Sequence, residues 1–147
     1  MKKILVLNGP NLDMLGMREP NVYGNDTLES INEQIAAKAK ELGVAVGFFQ
    51  SNSEGELINK IHMVASDYDA AIINAGAYTH YSYAIHDAIK AVKKPFVELH
   101  MSNIHAREEF RSHSVISPAC VGQICGFGKM SYILALQAAV SLISDKN

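Results

Sequence analysis

Apolar positions along this chain fall alternately into short unbroken runs and three-to-four-residue stripes. Ile4, Leu5, Val6 and Leu7 form the first run, so Lys3 to Leu7 reads as a strand buried on both faces. A glycine- and proline-punctuated stretch, residues 8–24, separates it from the first stripe. That stripe is Leu28, Ile31, Ile35, Ala39 and Leu42, one face of a helix that Asp26 with Glu29 would cap and Gly43 would stop. Val44 to Phe49 is a second strand, leaving through Gln50-Ser51-Asn52. Ser53 to Glu56 reads as a capping box for a helix striped by Leu57, Ile61 and Val64 or Ala65. Ala70 to Ala75 is a third strand, and Gly76 to Thr79 a tight loop. The next helix is expected to bury Tyr81, Ile85, Ala88 and Val92, with Lys90, Lys93 and Lys94 at its C-terminal end, where the dipole favours cations. Pro95 to Leu99 is a fourth strand, its proline at the first position where one is tolerated. Ser102 or Asn103 would cap a short helix through Phe110. Val121 to Gly126 reads as a fifth strand, and Tyr132 to Ile143 as a closing helix striped by Ile133, Leu136, Val140 and Ile143.

Strands alternating with helices predict an α/β protein. The arrangement expected is a flavodoxin-like, doubly wound, five-stranded parallel sheet of order 2-1-3-4-5, with helices on both faces. All 147 residues suit one domain, residues 1–147, and 48% hydrophobic with 19% charged residues is a globular composition. A net charge of -2 gives no reason to expect nucleic acid or an anionic membrane as partner. Met1-Lys2-Lys3 with its short apolar run is too brief for a signal peptide, and no run approaches the ~20 residues of a membrane helix. A cytoplasmic protein is the expectation. Cys120 and Cys125 lack the spacing of a zinc or redox pair and read as reduced packing residues.

In an open parallel sheet, ligands bind beyond the carboxyl ends of the strands, where strand order reverses. Strand one exits into Asn8 and Asn11, strand three into Asn74, Gly76 and His80. Strand four carries Glu98 and exits into His100, Ser102 and Asn103. These exits would converge on one crevice. The long loop, residues 8–24, would lie over it, with its lid at about residues 17–25 carrying Arg18 and Tyr23. Leu12, Met14, Leu15, Val22 and Tyr23 give the loop apolar side chains that a free linker would not need. Asparagines in turns also satisfy loop backbone, and His80 with Asp87 on one helix face could cap or pair. The histidines invite a metal reading, but none has zinc-ligand spacing, so no metal is expected. Gly126-Phe127-Gly128-Lys129 fails the phosphate-loop pattern, because Gln123 and Met130 occupy its glycine and hydroxyl positions.

Such a set suits proton abstraction and donation on a small polar molecule. A free phenol has a pKa of about 10. An arginine within about 4 Å favours the phenolate by up to ~4 kcal/mol at a surface-like dielectric. Lowering the pKa by two units needs only ~2.7 kcal/mol, so Arg18 can make Tyr23 a usable base. His100 is the complementary acid. An FMN-binding module at the same switch point is the rival reading, and a lysine Schiff base is a rival mechanism.

Asn8-Gly9-Pro10-Asn11-Leu12, Leu15-Gly16, Arg18-Glu19-Pro20 and Tyr23-Gly24 with Thr27-Leu28 resemble type II 3-dehydroquinate dehydratase. So do residues 74–80, Ala88-Ile89, 98–104, 107–111, His113-Ser114, 122–124 and 126–128. Asp13-Met14, Met101 and Ser131 depart from the residues usual there. The resemblance implies dehydration of 3-dehydroquinate to 3-dehydroshikimate by anti elimination through an enolate, a shikimate-pathway step toward chorismate and aromatic amino acids. It implies Tyr23 as base, Arg18 as its activator, Asn11 as enolate stabiliser through a water, and His100 as acid oriented by Glu98. Asn74, Ser102 and the backbone N–H groups near Met101 and Ser102 would hold the substrate carboxylate at a helix start, with Gly76 in the same binding set. His80 and Arg111 would read the ring hydroxyls, and Asp87 would reach in from a neighbouring subunit of a dodecamer built from trimers. No cofactor is implied.

Overall fold

The computed structural model describes residues 1–17, 21 and 25–144. Its five strands are β1 (Lys3–Asn8), β2 (Ala45–Gln50), β3 (Ala70–Asn74), β4 (Phe96–His100) and β5 (Gly122–Cys125). They form one all-parallel sheet in the order β2-β1-β3-β4-β5, as the alternating pattern predicts. Four α-helices accompany it among the described residues: α1 (Leu28–Leu42), α2 (Glu54–Asp67), α3 (Tyr83–Val92) and α4 (Met130–Ile143).

Period-two alternation divides the core between the two faces of the sheet. Ile4, Val6, Ile72, Val97 and Leu99 pack with Ile31 and Ile35 of α1 and Tyr132 and Leu136 of α4. Leu5, Leu7, Ile73 and Phe96 pack on the other side with Leu57 and Ile61 of α2 and Ile85 and Ile89 of α3. Because β1, β3 and β4 are covered on both faces, they read as continuous apolar runs.

Several local expectations change. Thr27, not Asp26, caps α1: its hydroxyl accepts the Ser30 N–H at 3.1 Å while Ser30 Oγ accepts the Thr27 N–H, and Asp26 instead pairs with Lys129 at 3.3 Å. Serine serves in this box where Glu29 was expected, because its position three residues after the cap is the one that reaches back. Ser53 caps α2 through the Glu56 N–H, but the expected box does not close, because the Glu56 carboxylate accepts from Ser51 Oγ and the Ser53 N–H donates to Ser51 Oγ. Gly43 stops α1 at φ 74° as read. Val64 rather than Ala65 completes the α2 stripe. Tyr81 is exposed, because Ser82 caps α3 and leaves Tyr81 outside the helix. Residues 76–80 wind as a 3-10 turn, so His80 and Asp87 do not share a helix face. In place of one short helix through Phe110 stand two 3-10 turns, Ile104–Ala106 and Glu109–Ser112. The buried stripe of α4 is Ser131, Tyr132, Ala135, Leu136 and Ala139, with Ile133, Val140 and Ile143 only partly covered. Small residues sit inward there because α4 lies close against β3 and β4. Ser131 is buried with its hydroxyl accepting the Phe127 N–H at 3.0 Å, which a glycine there could not do. Among the described residues no helix is long and apolar enough to cross a membrane.

Candidate active site

A cleft opens beyond the carboxyl ends of β1, β3 and β4. Asn11, Asn74, Gly76, His80, His100, Met101, Ser102 and Arg111 all line it, so most of the residues singled out from the sequence meet there. Close backbone approach makes the meeting possible. A Cβ on Gly9 would stand 2.5 Å from the Ala75 carbonyl oxygen, where the Gly9 N–H bonds to Asn74 O at 2.8 Å. Gly76 has φ +60° and would press a Cβ against Pro10, so glycine is required twice where the β1 and β3 exits cross.

Asn11 turns the chain at φ 69°, a left-handed conformation that asparagine tolerates. Its N–H donates to Asn52 Oδ1 at 2.9 Å, and Gln50 Nε2 donates to the Gly9 carbonyl at 3.0 Å. Leu12 and Leu15 bury beneath this turn, whereas Met14 points to solvent. Residues 18–20 and 22–24 of the expected lid, including Arg18 and Tyr23, lie outside the described residues.

His100 closes β4 and Glu98 stands two residues before it, so the pleat puts both on one face. His100 Nε2 lies 2.6 Å from Glu98 Oε2, with Glu98 fully buried. Ser114 Oγ donates to Glu98 Oε1 at 3.0 Å and Gln123 Nε2 to Oε2 at 3.0 Å. Burial pushes the Glu98 carboxyl up, but these three hydrogen bonds and the His100 ring outweigh it and hold the group below the ordinary carboxylate value. An ionised Glu98 only accepts, so His100 carries its proton on Nε2 and Nδ1 is the nitrogen left for a ligand. Ser114 and Gln123 were not assigned to the site from the sequence. Gln123 carries a signal only once β5 is paired, since it stands opposite Glu98 in register.

His80 stacks on His100 with ring centroids 6.3 Å apart. Its Nδ1 is 2.8 Å from the His113 carbonyl, which can only accept, so neutral His80 keeps Nε2 as an acceptor. Burial lowers its pKa from the ordinary histidine value, and the His113 carbonyl opposes that shift. Arg111 donates through Nε to Glu108 at 2.7 Å and lies over the Phe110 ring. Arg107, also unassigned from the sequence, lines the cleft and donates to Ser102 Oγ at 3.3 Å.

Asn8 and Asn103 do not join the other strand-exit residues in the cleft. Asn8 lies buried below the cleft rather than in it, and Asn103 spends its side chain capping the His105 N–H at 3.1 Å. Only a three-residue 3-10 turn follows Ser102, not an α-helix start. Asp87 sits exposed on α3, bonded to His86 Nδ1 at 3.0 Å and away from the cleft of its own chain. Among the described residues no group of three His, Cys, Asp or Glu could hold a metal ion. Burial and the Glu98 carboxylate push the Cys120 thiol far up and Cys125 to about 11, so neither is a thiolate nucleophile.

Residues 2–140 match the family described as dehydroquinase class II. The chain belongs to that family. The 3-dehydroquinate dehydratase of Caldicellulosiruptor bescii is 62% identical over 144 residues, 97% of this chain and 99% of that protein. That of Pelotomaculum thermopropionicum is 56% identical over 95% of this chain and 97% of its own. The crystal structure of the type II dehydroquinase from Butyrivibrio crossotus superposes with a TM-score of 0.92 at 47% identity, covering 94% of this chain and 97% of that one.

As a class II dehydroquinase, this chain carries a buried carboxylate whose ionisation is coupled to folding. A carboxyl whose folded pKa is depressed contributes stability that is present above its unfolded pKa, near 4.5 for glutamate, and is lost as pH falls through the lower folded value. Glu98→Gln is therefore expected to cost ~2 kcal/mol at pH 7, the scale of hydrogen bonds to a charged group. Thermal melts should show the gap between variant and wild type narrowing as pH drops below the carboxylate range. An equal gap at both pH values would show that the carboxylate charge is not what the network holds.

Proposed function

We propose that this class II dehydroquinase is a 3-dehydroquinate dehydratase, a hydro-lyase of the shikimate pathway that forms 3-dehydroshikimate by anti elimination. The observation that carries the reading is the buried Glu98–His100 pair at the rim of a cleft built from asparagine, histidine and arginine.

In this reading Tyr23, as phenolate beside Arg18, takes the proton next to the substrate ketone. Asn11, through an ordered water, holds the enolate oxygen in the manner of an oxyanion hole. His100, as an imidazolium whose Nε2–H is held by Glu98, then delivers its Nδ1 proton to the departing hydroxyl and is left neutral, with the proton on Nε2. The enolate collapses as the C–O bond breaks, water leaves, and the conjugated enone remains. Asn74, Gly76, Ser102 and the N–H groups of Met101 and Ser102 bind the substrate carboxylate. His80, through its acceptor Nε2, and Arg111 bind ring hydroxyls. The Arg107 guanidinium, bonded to Ser102, adds positive charge on the carboxylate side of the cleft.

The proposal extends to a single catalytic domain over residues 1–147, a lid at about 17–25, and a cytoplasmic dodecamer of trimers without a cofactor. Asp87 would then enter a neighbouring subunit's cleft, a reading supported by its exposure on α3 away from its own. Ultraviolet absorbance of the enone after adding 3-dehydroquinate tests the activity, and an inert, folded protein would refute it. Treating the enzyme with borohydride in the presence of substrate separates the mechanisms. Activity is expected to survive, whereas permanent inactivation would mean a lysine Schiff base in place of the enolate.

A further inference from the structure

The two central strands end side by side: Asn8 closes β1, Asn74 closes β3, and the pair stands in register. Tyr132 of α4, fully buried, reaches both. Its hydroxyl lies 2.6 Å from Asn8 Oδ1 and 3.0 Å from Asn74 Nδ2. At the far end, Asn74 Oδ1 accepts the Gly76 N–H at 3.2 Å.

The polarity of this chain of groups is determined from one end. A backbone N–H can only donate, so Gly76 requires the oxygen of the Asn74 amide. The Asn74 nitrogen must then face the Tyr132 hydroxyl, which accepts one of its two hydrogens. That hydroxyl, having accepted, turns its single hydrogen onto Asn8 Oδ1. One hydrogen of the Asn74 amide remains uncommitted in these contacts, and Asn74 lines the cleft. Were the amide reversed, an oxygen would stand where a nitrogen donor now is, and would repel an anion. Burial pushes the Tyr132 phenol far up from its ordinary value, so the hydroxyl keeps its hydrogen across the neutral range. Packing alone would be served as well by phenylalanine.

We propose that Tyr132 is a positioning residue, which together with the Gly76 N–H holds the Asn74 amide with its nitrogen available to the substrate carboxylate and so strengthens the cleft's preference for an anion. This rests on the reading of Asn74 as a carboxylate ligand.

Tyr132→Phe keeps the ring and removes one of the two contacts, leaving the amide held by the Gly76 N–H alone at 3.2 Å. The KM for 3-dehydroquinate is expected to rise roughly tenfold, the scale of one hydrogen bond to a charged partner, with kcat within about twofold. A decisive readout is calorimetric binding of quinate against its carboxamide. Wild type should prefer the carboxylate, and Tyr132→Phe should show a clearly reduced preference, which a merely less stable fold would not do. Asn8→Ala serves as a second variant should Tyr132→Phe fail to fold. It frees the hydroxyl to donate to Asn74 instead, so the preference should fall there too. A preference retained in full in a folded variant overturns the role of Tyr132 alone. No preference in wild type would overturn the reading of Asn74 and the lock together.

Discussion

Tyr23→Phe is expected to lower kcat by about 10²–10⁴, the usual contribution of a general base, while a ring-carboxylate analogue still binds. Only the phenolic oxygen is lost, and the apolar ring remains. The size of the effect follows from the chemistry of the first step. A proton beside a ketone is weakly acidic, and a phenolate matches it better than a carboxylate would. The phenol must therefore be ionised near neutral pH, which costs ~2.7 kcal/mol for a two-unit shift, within what one close guanidinium supplies. Wild type and variant compared by enone absorbance decide the matter. Comparable turnover in Tyr23→Phe would remove Tyr23 from the base role.

His100→Ala is the second large effect, and it should differ in kind. The acid acts after the enolate has formed, so kcat for elimination should fall by about 10²–10⁴ while proton abstraction continues. In deuterated water the variant should return substrate labelled beside the ketone, detected by mass or proton NMR. Tyr23→Phe should return it unlabelled. If His100→Ala neither eliminates nor exchanges, His100 acts before the enolate and the order of steps proposed above is wrong. A stability cost accompanies the change, because Glu98 loses the closest of its donors and stays buried.

Glu98 shows where sequence reading stops. A glutamate inside an apolar run flags itself, and its two-residue spacing from His100 puts the pair on one face of any extended strand. The donors that hold it do not announce themselves. Ser114 arrives from a loop and Gln123 from the edge strand, sixteen and twenty-five residues away, and neither has a local pattern. Tyr132 is a further case. In the sequence it is only the first residue of the closing helix, outside the expected stripe, and its hydroxyl acquires a role only where α4 crosses the ends of β1 and β3. Arg107 and Arg111 stand four residues apart, yet the backbone between them is two 3-10 turns rather than one helix, so their meeting at the cleft is not a matter of helical spacing.

Unbroken apolar runs and amphipathic stripes were enough to establish the alternation of strands and helices in a parallel α/β sheet, because strands buried on both faces and helices buried on one leave period-specific traces in the chain. The strand order is an expectation of the flavodoxin-like arrangement, and the sheet adopts it. The long motifs were enough to point to the family. Which asparagines face a ligand and which lie beneath it was decided by tertiary structure alone. Asn8 and Asn74 both close central strands, but only Asn74 lines the cleft. The direction of an amide depends on what stands at each of its ends, and here Gly76 lies two residues on whereas Tyr132 is brought by α4 from 58 residues away.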